Sequence, residues 1–532
     1  AGAAAAGGFL GLGQDLQEIR NQEANVVGLR NSVDQLQSAH EAGRIDRYQV
    51  DLARQAFYNA ESLLLTRKTA YESRLDNYKI NLGLPPDLEV NVRDTLLDQF
   101  MLLDPTLIRV QHDATTLLDA LRTKRLLGSA PITDQDVTEG VARATDLARR
   151  ARVQMDIAQM DYEKFKGVLP TRKRVLEQLA ARPNVGQDLD LEILNFDNVH
   201  WRSKALRQDL DQVARHITQV TDGFRQIEQE TARPIDDRYR QLVDLLTRLS
   251  DQLFELSLLQ ARTRLDSVVI DPVAVTGRSA LATARRFRRD WMNARANLVD
   301  RWRLIEFNAN DLKSGLDVTF SGDIRNRNKN PLDLESSTGR LSVGLAFDAP
   351  LTRLSERNIY RQSLIEYQQA RRQYYQSVDR IHQGLRNTLR TMHLDELNLE
   401  LRREAVFVAI SQVDLTRLRL MRPPKPGETS VFGDTTARDL VSALSDLLSV
   451  QNDFLSVWVN YEVQRIGLDF DLGTMQLDPQ GMWIDPGTFL GQVQLEEGET
   501  DLLLPEGLPG EPPEAALPDA GPVEPLPEPD RS

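Results

Sequence analysis

One long helix is written twice in this chain. Gly43, Val50, Ala53, Leu64, Leu65, Tyr71, Glu72, Leu82 and Gly83 recur without a gap, 390 residues further on, as Gly433, Leu440, Ala443, Phe454, Leu455, Tyr461, Glu462, Leu472 and Gly473. A repeat so distant is no short-period solenoid; it points to two half-molecules built around the same kind of helix. Within the repeat, Val50, Phe57, Leu64, Tyr71 and Tyr78 fall every seventh residue, as do Leu440, Leu447, Phe454, Tyr461 and Leu468. That spacing keeps an apolar seam turned toward a neighbouring helix, as in a coiled coil. From about Ile45 to Leu82 the helix would be roughly 55 Å long, too long to bury inside one ordinary domain. Gly43 and Gly433 break the chain before each copy. Gly83 and Gly473 should end it with a positive-φ cap.

The rest of the composition agrees with long helices: glycine and aromatic residues are sparse among many Arg, Leu, Asp, Gln and Ala. No run of 18 apolar residues occurs, which excludes a membrane-spanning helix. The absence of cysteine removes disulfides, thiolate metal sites and cysteine nucleophiles. The net charge of −14 is unevenly placed. From Leu495 to Ser532 eleven Asp or Glu oppose the single Arg531, so the tail holds −10 and the remaining chain −4. Nine prolines in that tail predict an extended, disordered segment. The body lacks the basic field that nucleic acid requires. The first residues show no basic n-region, and the helix near Phe9 is already under way, which suggests a chain cut from a longer precursor.

Along the chain, a helix from Leu10 to His40 and its return to Leu82 make an antiparallel hairpin with its tip at Ala42, Gly43 and Arg44. Residues 84–267 read as an inserted helical region, with breaks at Pro105, Gly128 to Pro131, Pro170, Pro183 and Asn184, and Pro234. Leu242, Leu245, Leu246, Leu249, Leu253 and Leu256 form one apolar stripe there. A helix then runs from about Arg278 to Lys313, and the period changes to two. Leu316, Val318 and Phe320 alternate with Asp317, Thr319 and Ser321; Leu341, Val343, Leu345 and Phe347 alternate with Ser342, Gly344, Ala346 and Asp348. These are two strands with one apolar face. Pro350 ends the second, and a helix with Tyr360, Leu364, Tyr367 and Tyr374 reaches about Met421. A loop from Pro423 to Gly433 leads to the second copy. Two strands cannot make an independent sheet. They are either a cap packed on the helices or one chain's share of a barrel completed by others; on pattern alone the cap stands slightly ahead.

Four local sequences bring in a family. They are His40-Glu41-Ala42-Gly43-Arg44-Ile45 with Gln49 and Val50; Ala294 to Asp300 through Ala309 to Lys313; Leu341 to Leu345 followed by Pro350 and Leu351; and Ala437 to Leu440 with Leu447, Leu448, Leu472 and Gly473. In this order the chain resembles the TolC-like outer membrane efflux protein family, over about residues 9–84 and 279–473. The resemblance implies a mainly α fold: long antiparallel coiled-coil helices with a small β-hairpin contributing to an inter-subunit transmembrane β-barrel, the first pair of strands lying upstream of Ala1. It divides the chain into a first-repeat helical hairpin (1–83), an inserted region (84–267), an ascending helix (268–315), a transmembrane β-hairpin (316–348), a second-repeat helical hairpin (349–473) and a C-terminal segment with an acidic tail (474–532).

By the same resemblance, three copies form an exit duct of a tripartite efflux or type I secretion system in the outer membrane and periplasm of a Gram-negative-type bacterium. Its partners are outer-membrane lipid, a periplasmic adaptor and an inner-membrane pump. Adaptor contacts fall on Gly43, Arg44 and Ile45 in one tip and on Gly433, Asp434 and Thr435 in the other. The lipid-facing residues are Leu316, Val318, Phe320, Leu341, Val343, Leu345 and Phe347. The family narrows its entrance with two aspartates three residues apart; the matching positions are Asp439 and Ser442, so only Asp439 remains as a gate candidate, and the plainer reading is that it complements the helix dipole.

Two rival classes stand beside this. An enzyme is disfavoured: His40, His112, His200, His216, His382 and His393 are scattered without ligand spacing, and no phosphate loop or nucleophile elbow occurs. No catalytic, cofactor or metal site is expected. A soluble periplasmic coiled-coil scaffold or adaptor, with the strands as a decorative hairpin, is the stronger rival.

Overall fold

The two copies of the repeated segment end in the same backbone turn. In the computed structural model the first is helix α2 (Arg47–Asn81), and the second occupies helix α10 (Thr436–Leu472). After α2, Gly83 has φ +75°, the Gly83 amide donates to Ile80 O at 2.9 Å, and the Leu84 amide to Lys79 O at 2.9 Å. After α10, Gly473 has φ +76°, its amide donates to Phe470 O at 3.0 Å, and the Thr474 amide to Asp469 O at 3.2 Å. Paired bonds of this kind across a left-handed residue satisfy the last helix carbonyls, and only glycine takes that φ without strain. At Gly473 a Cβ would also meet the backbone of Phe287 and Arg288 at 3.0 Å.

The structure describes residues 8–41, 45–92, 97–102, 104–127, 133–182, 191–230, 233–270, 272–325, 337, 339–348, 353–421 and 436–487. Besides α2 and α10 these hold α1 (Phe9–Glu41), α3 (Pro105–Leu127), α4 (Asp134–Ala180), α5 (Phe196–Gln229), α6 (Ile235–Ser267), α7 (Gly277–Phe287), α8 (Arg289–Asn310), strands β1 (Gly315–Asp323) and β2 (Arg340–Asp348), and α9 (Leu354–Met421). The fold is mainly helical, with one antiparallel two-stranded sheet among the described residues. The chain divides into two compact units, Ala1–Val273 with Arg390–Ile466 and Ala274–Leu389 with Gly467–Ser532.

In the first unit four helices lie side by side in the order α2, α1, α10, α9. Arg67 and Arg74 of α2 reach Glu18 and Asp15 of α1 at 2.6 Å. Asn21 of α1 donates to Asn452 of α10 at 2.9 Å. Arg402 of α9 donates to Asp453 of α10 at 3.0 Å. Helices α3 to α6 form a bundle with its own apolar core, including Leu107, Phe165, Leu176, Phe224 and the α6 stripe Leu242, Leu246, Leu249, Leu253 and Leu256. This bundle docks on α1, α9 and α10.

Pro170 does not break its helix: α4 continues through it. Tyr162 and Phe165 before it, and Val175, Leu176 and Leu179 after it, are all buried. Their burial, at about 1.5–3 kcal/mol for each large apolar side chain, outweighs the roughly 3 kcal/mol of an internal proline. Pro105 likewise opens α3 rather than breaking a helix, the first-turn position where its missing N–H costs nothing.

In the second unit, the single helix expected from 278 to 313 is two helices. Arg288 sits between them in an extended conformation; its guanidinium donates to Asp290 at 2.7 Å and to Asp471 O at 3.2 Å. Helix α8 then pairs with the start of α9. Trp291, Leu298 and Ile305 are buried, as are Tyr360, Tyr367 and Tyr374, both sets at seven-residue spacing. Trp291 Nε1 donates to the Tyr374 hydroxyl at 3.0 Å, and Arg301 pairs with Glu366 at 2.6 Å. This antiparallel coiled coil carries the β-hairpin.

The loop from Pro423 to Gly433, Pro350 and the acidic tail lie outside the described residues.

Candidate functional site: the hairpin and the layer edges

The strand register places every large apolar side chain of the hairpin on one face. Leu316 opposes Phe347, Val318 opposes Leu345, Phe320 opposes Val343, and Gly322 opposes Leu341. The other face pairs Asp317 with Ala346, Thr319 with Gly344, Ser321 with Ser342, and Asp323 with Arg340. Hydroxyls line that side: Ser321 Oγ lies 2.8 Å from Ser342 Oγ, and Thr319 Oγ1 donates to Gly344 O at 3.4 Å. A Cβ at Gly344 would meet Thr319 Oγ1 at 2.7 Å, so Gly344 makes room for the hydroxyl row.

Every residue of both strands is exposed; the seven apolar side chains range from 46% for Val318 to 75% for Leu341. The cap reading therefore fails, because a cap would bury this face against helices of its own chain. An apolar face of this kind, on a hairpin whose outer edges pair with no other strand among the described residues, is marginal in water. At nine residues each, the strands reach the lower end of the ~9–11 needed to cross a bilayer at a tilt.

In the first unit the outer helices of the layer carry apolar rows that the described residues leave largely uncovered. On α9, Leu394, Leu401, Val408 and Leu415 stand every seventh residue, and Leu394, Val408 and Leu415 are each 56% exposed. On α2, Tyr58 and Leu65 are seven residues apart and both exposed. The cross-links from α2 through α1 and α10 to α9 put Leu65 level with Leu401 and Tyr58 level with Val408. Inward-facing rows of α9 are covered: Met392, Leu399, Val406 and Val413 are buried.

The bundle is locked to α9 by buried charge. Arg403 is fully buried; it donates to Val268 O at 2.8 Å, to Leu265 O and to Glu400, and stacks over the Phe454 ring at 5.3 Å. Arg172 of α4 donates to Glu400 at 2.9 Å and lies 3.5 Å from Asp266. Burial and the neighbouring Arg172 pull the Arg403 pKa down to about 10. Burial would raise Glu400, but Arg172 and Arg403 outweigh it and hold the carboxyl below its ordinary range. Arg182 also pairs with Glu396, which accepts from Val273 N at 3.1 Å and from the Tyr461 hydroxyl at 3.2 Å. Nearer the end of α1, burial and the neighbouring Asp119 of α3 push Asp34 up to about 7.

Of the tip candidates, Gly43, Arg44, Gly433, Asp434 and Thr435 lie outside the described residues. Ile45 is buried, and its carbonyl lies 2.9 Å from His40 Nδ1. Asp439 is exposed in the first turn of α10; Ser442, Asp446 and Ser449 follow it on the same exposed stripe. Two features were not read from the sequence: the uncovered α9 row, whose seven-residue spacing was visible, and the buried cluster, whose residues look like ordinary helix-surface charges.

No protein-family model matches the sequence, and no curated protein matches it. Solved structures do. CusC, studied for folding and transmembrane channel formation, is 12% identical, with 71% of this chain and 75% of that chain covered at a TM-score of 0.30. VceC, an outer membrane protein of Vibrio cholerae, is 13% identical over 71% and 95%, at 0.30. The open state of the MtrE outer membrane channel of Neisseria gonorrhoeae is 12% identical over 71% and 88%, at 0.30.

Proposed function

We propose that this chain is a subunit of a TolC-like outer-membrane channel, a passive trimeric exit duct for small molecules or polypeptides. The observation that carries the reading is the fully exposed, one-sided apolar face of a hairpin that has no further strand beside it among the described residues. Lipid would solvate that face, and strands of other copies would pair its edges, because only a closed barrel leaves no open edge in a bilayer. The hydroxyl and carboxylate face would then line water.

The layer supports the same assembly. Its helices alternate in direction, so the α9 edge of one copy can meet the α2 edge of the next without breaking the alternation. Such a head-to-tail contact closes into a ring when the rotation permits. On this reading residues 84–267 are an inserted bundle docked on the helical wall, and the helical tips at 43–45 and 433–435 face the adaptor of an efflux or secretion system. A ring of three Asp439 carboxylates would favour cations at the entrance.

Because the chain has no native cysteine, Tyr58→Cys and Val408→Cys in one chain provide a clean cross-linking test. Oxidation in membranes should give dimers and trimers with nothing larger. A purely monomeric product, or an open-ended ladder, contradicts the closed trimer. The rival scaffold reading predicts a chain that stays soluble without detergent.

A further inference from the structure

The junction below the hairpin is held by a single residue in a strained conformation. Arg353 is the one described non-glycine residue with positive φ, at 25°, a region costly for a residue with a Cβ. Its carbonyl accepts from the Arg357 amide at 2.9 Å and so opens α9. Its guanidinium, only 13% exposed, pairs with Asp348, the last residue of β2. The same group donates to Lys313 O at 2.5 Å and to Asp311 O, carbonyls just past the end of α8. A cation is favoured at a helix C-terminus, where carbonyls lack partners.

One side chain thus joins the exit from α8, the end of β2 and the start of α9. Asp348 opposes Gly315, the first residue of β1, in the strand register, so the clasp lies at the base of both strands.

We propose that Arg353 is a positioning residue that fixes the angle at which the hairpin leaves its coiled-coil pedestal, and that strand pairing between copies depends on that angle. A nine-residue strand is about 30 Å long, so a tilt error of about 10° moves its far end by roughly 5 Å, as much as the spacing between paired strands. The helices need no such fastening, since Trp291, Leu298 and Ile305 already hold α8 against α9. This inference rests on the channel reading for its consequence and on the local geometry for its cause.

The test uses the full chain with spin labels at Asn297→Cys on α8 and Ser321→Cys on β1, diluted with unlabelled chain so that only distances within one copy are read. Arg353→Gly relieves the positive φ and removes the guanidinium, while Arg353→Lys keeps a cation. We expect Arg353→Gly to broaden the distance distribution and shift it by about 5 Å, to leave thermal unfolding of the helices unchanged, and to drop channel formation in planar bilayers to background. Arg353→Lys should fall between. An unchanged distribution in Arg353→Gly overturns the fastening role, and a changed distribution with normal channel formation overturns its importance for pairing. A native chain that forms no channel, while its hairpin still loosens in Arg353→Gly, would contradict the channel reading and leave the clasp standing.

Discussion

The two copies of the repeated helix carry the same apolar spacing and meet different surroundings. In α10, Leu440, Leu447, Phe454 and Tyr461 are all buried; the Phe100 ring packs at a tilt against Phe454, 5.7 Å between centroids, and Arg403 covers the same ring. In α2 only Val50 of the matching seam is buried, while Phe57, Leu64, Tyr71 and Tyr78 are only partly covered. A seam at seven-residue spacing announces that a helix wants neighbours, not that its own chain supplies them. The copy in the middle of the layer finds partners at home, and the copy at the edge has a vacant side.

The contrast can be broken most forcefully at Arg403. Arg403→Ala leaves Glu400 and Asp266 buried with Arg172 alone, and removing one partner from a buried charge cluster costs about 3–5 kcal/mol. Urea unfolding should show that loss; a change near zero would mean the cluster does not hold the bundle to the layer. Next come the aligned positions Phe454 and Leu64. Phe454→Ala should cost about 3–5 kcal/mol, whereas Leu64→Ala should cost about 1 kcal/mol or less in the separate chain and weaken the proposed trimer instead. Equal losses in the separate chain would erase the distinction between middle and edge.

A third test uses pH at the contact between α1 and α3. Burial, followed by the nearby Asp119 charge, keeps Asp34 protonated in the fold up to about pH 7, against an ordinary value of 3.8. The native state therefore binds more protons than the unfolded chain between those values. Stability should fall as pH rises from about 4 to 7 and level off above, and Asp34→Asn should flatten that slope. A slope that persists in the variant points to other groups. The smallest effect is expected at exposed Asp439: Asp439→Asn should change stability by less than about 0.5 kcal/mol and modestly reduce cation preference in conductance.

What was legible in the sequence follows from how local each signal is. The glycine caps at Gly83 and Gly473 depend on a few consecutive residues, and the turn geometry matches the expectation. Period-two alternation located both strands to within about two residues. Their apolar face was also legible, but its surroundings were not: alternation specifies a two-sided strand without saying whether helix or lipid covers it, and only the exposure of that face separates a cap from a barrel stave. Pro170 misled for the opposite reason, since burial on both sides of it is a property of the packed bundle. Arg353 was illegible because its partners at Asp311, Lys313 and Asp348 meet only once the chain has folded.

The most direct measurement scans single cysteines through Gly315–Asp323 and Arg340–Asp348 in reconstituted bilayers and reads each spin label's collision rate with oxygen and with a water-soluble nickel chelate. A membrane-spanning hairpin should give a strict period of two, with Leu316, Val318, Phe320, Leu341, Val343, Leu345 and Phe347 open to oxygen and Asp317, Thr319, Ser321 and Ser342 open to the chelate. Equal access of the chelate to both faces would contradict it.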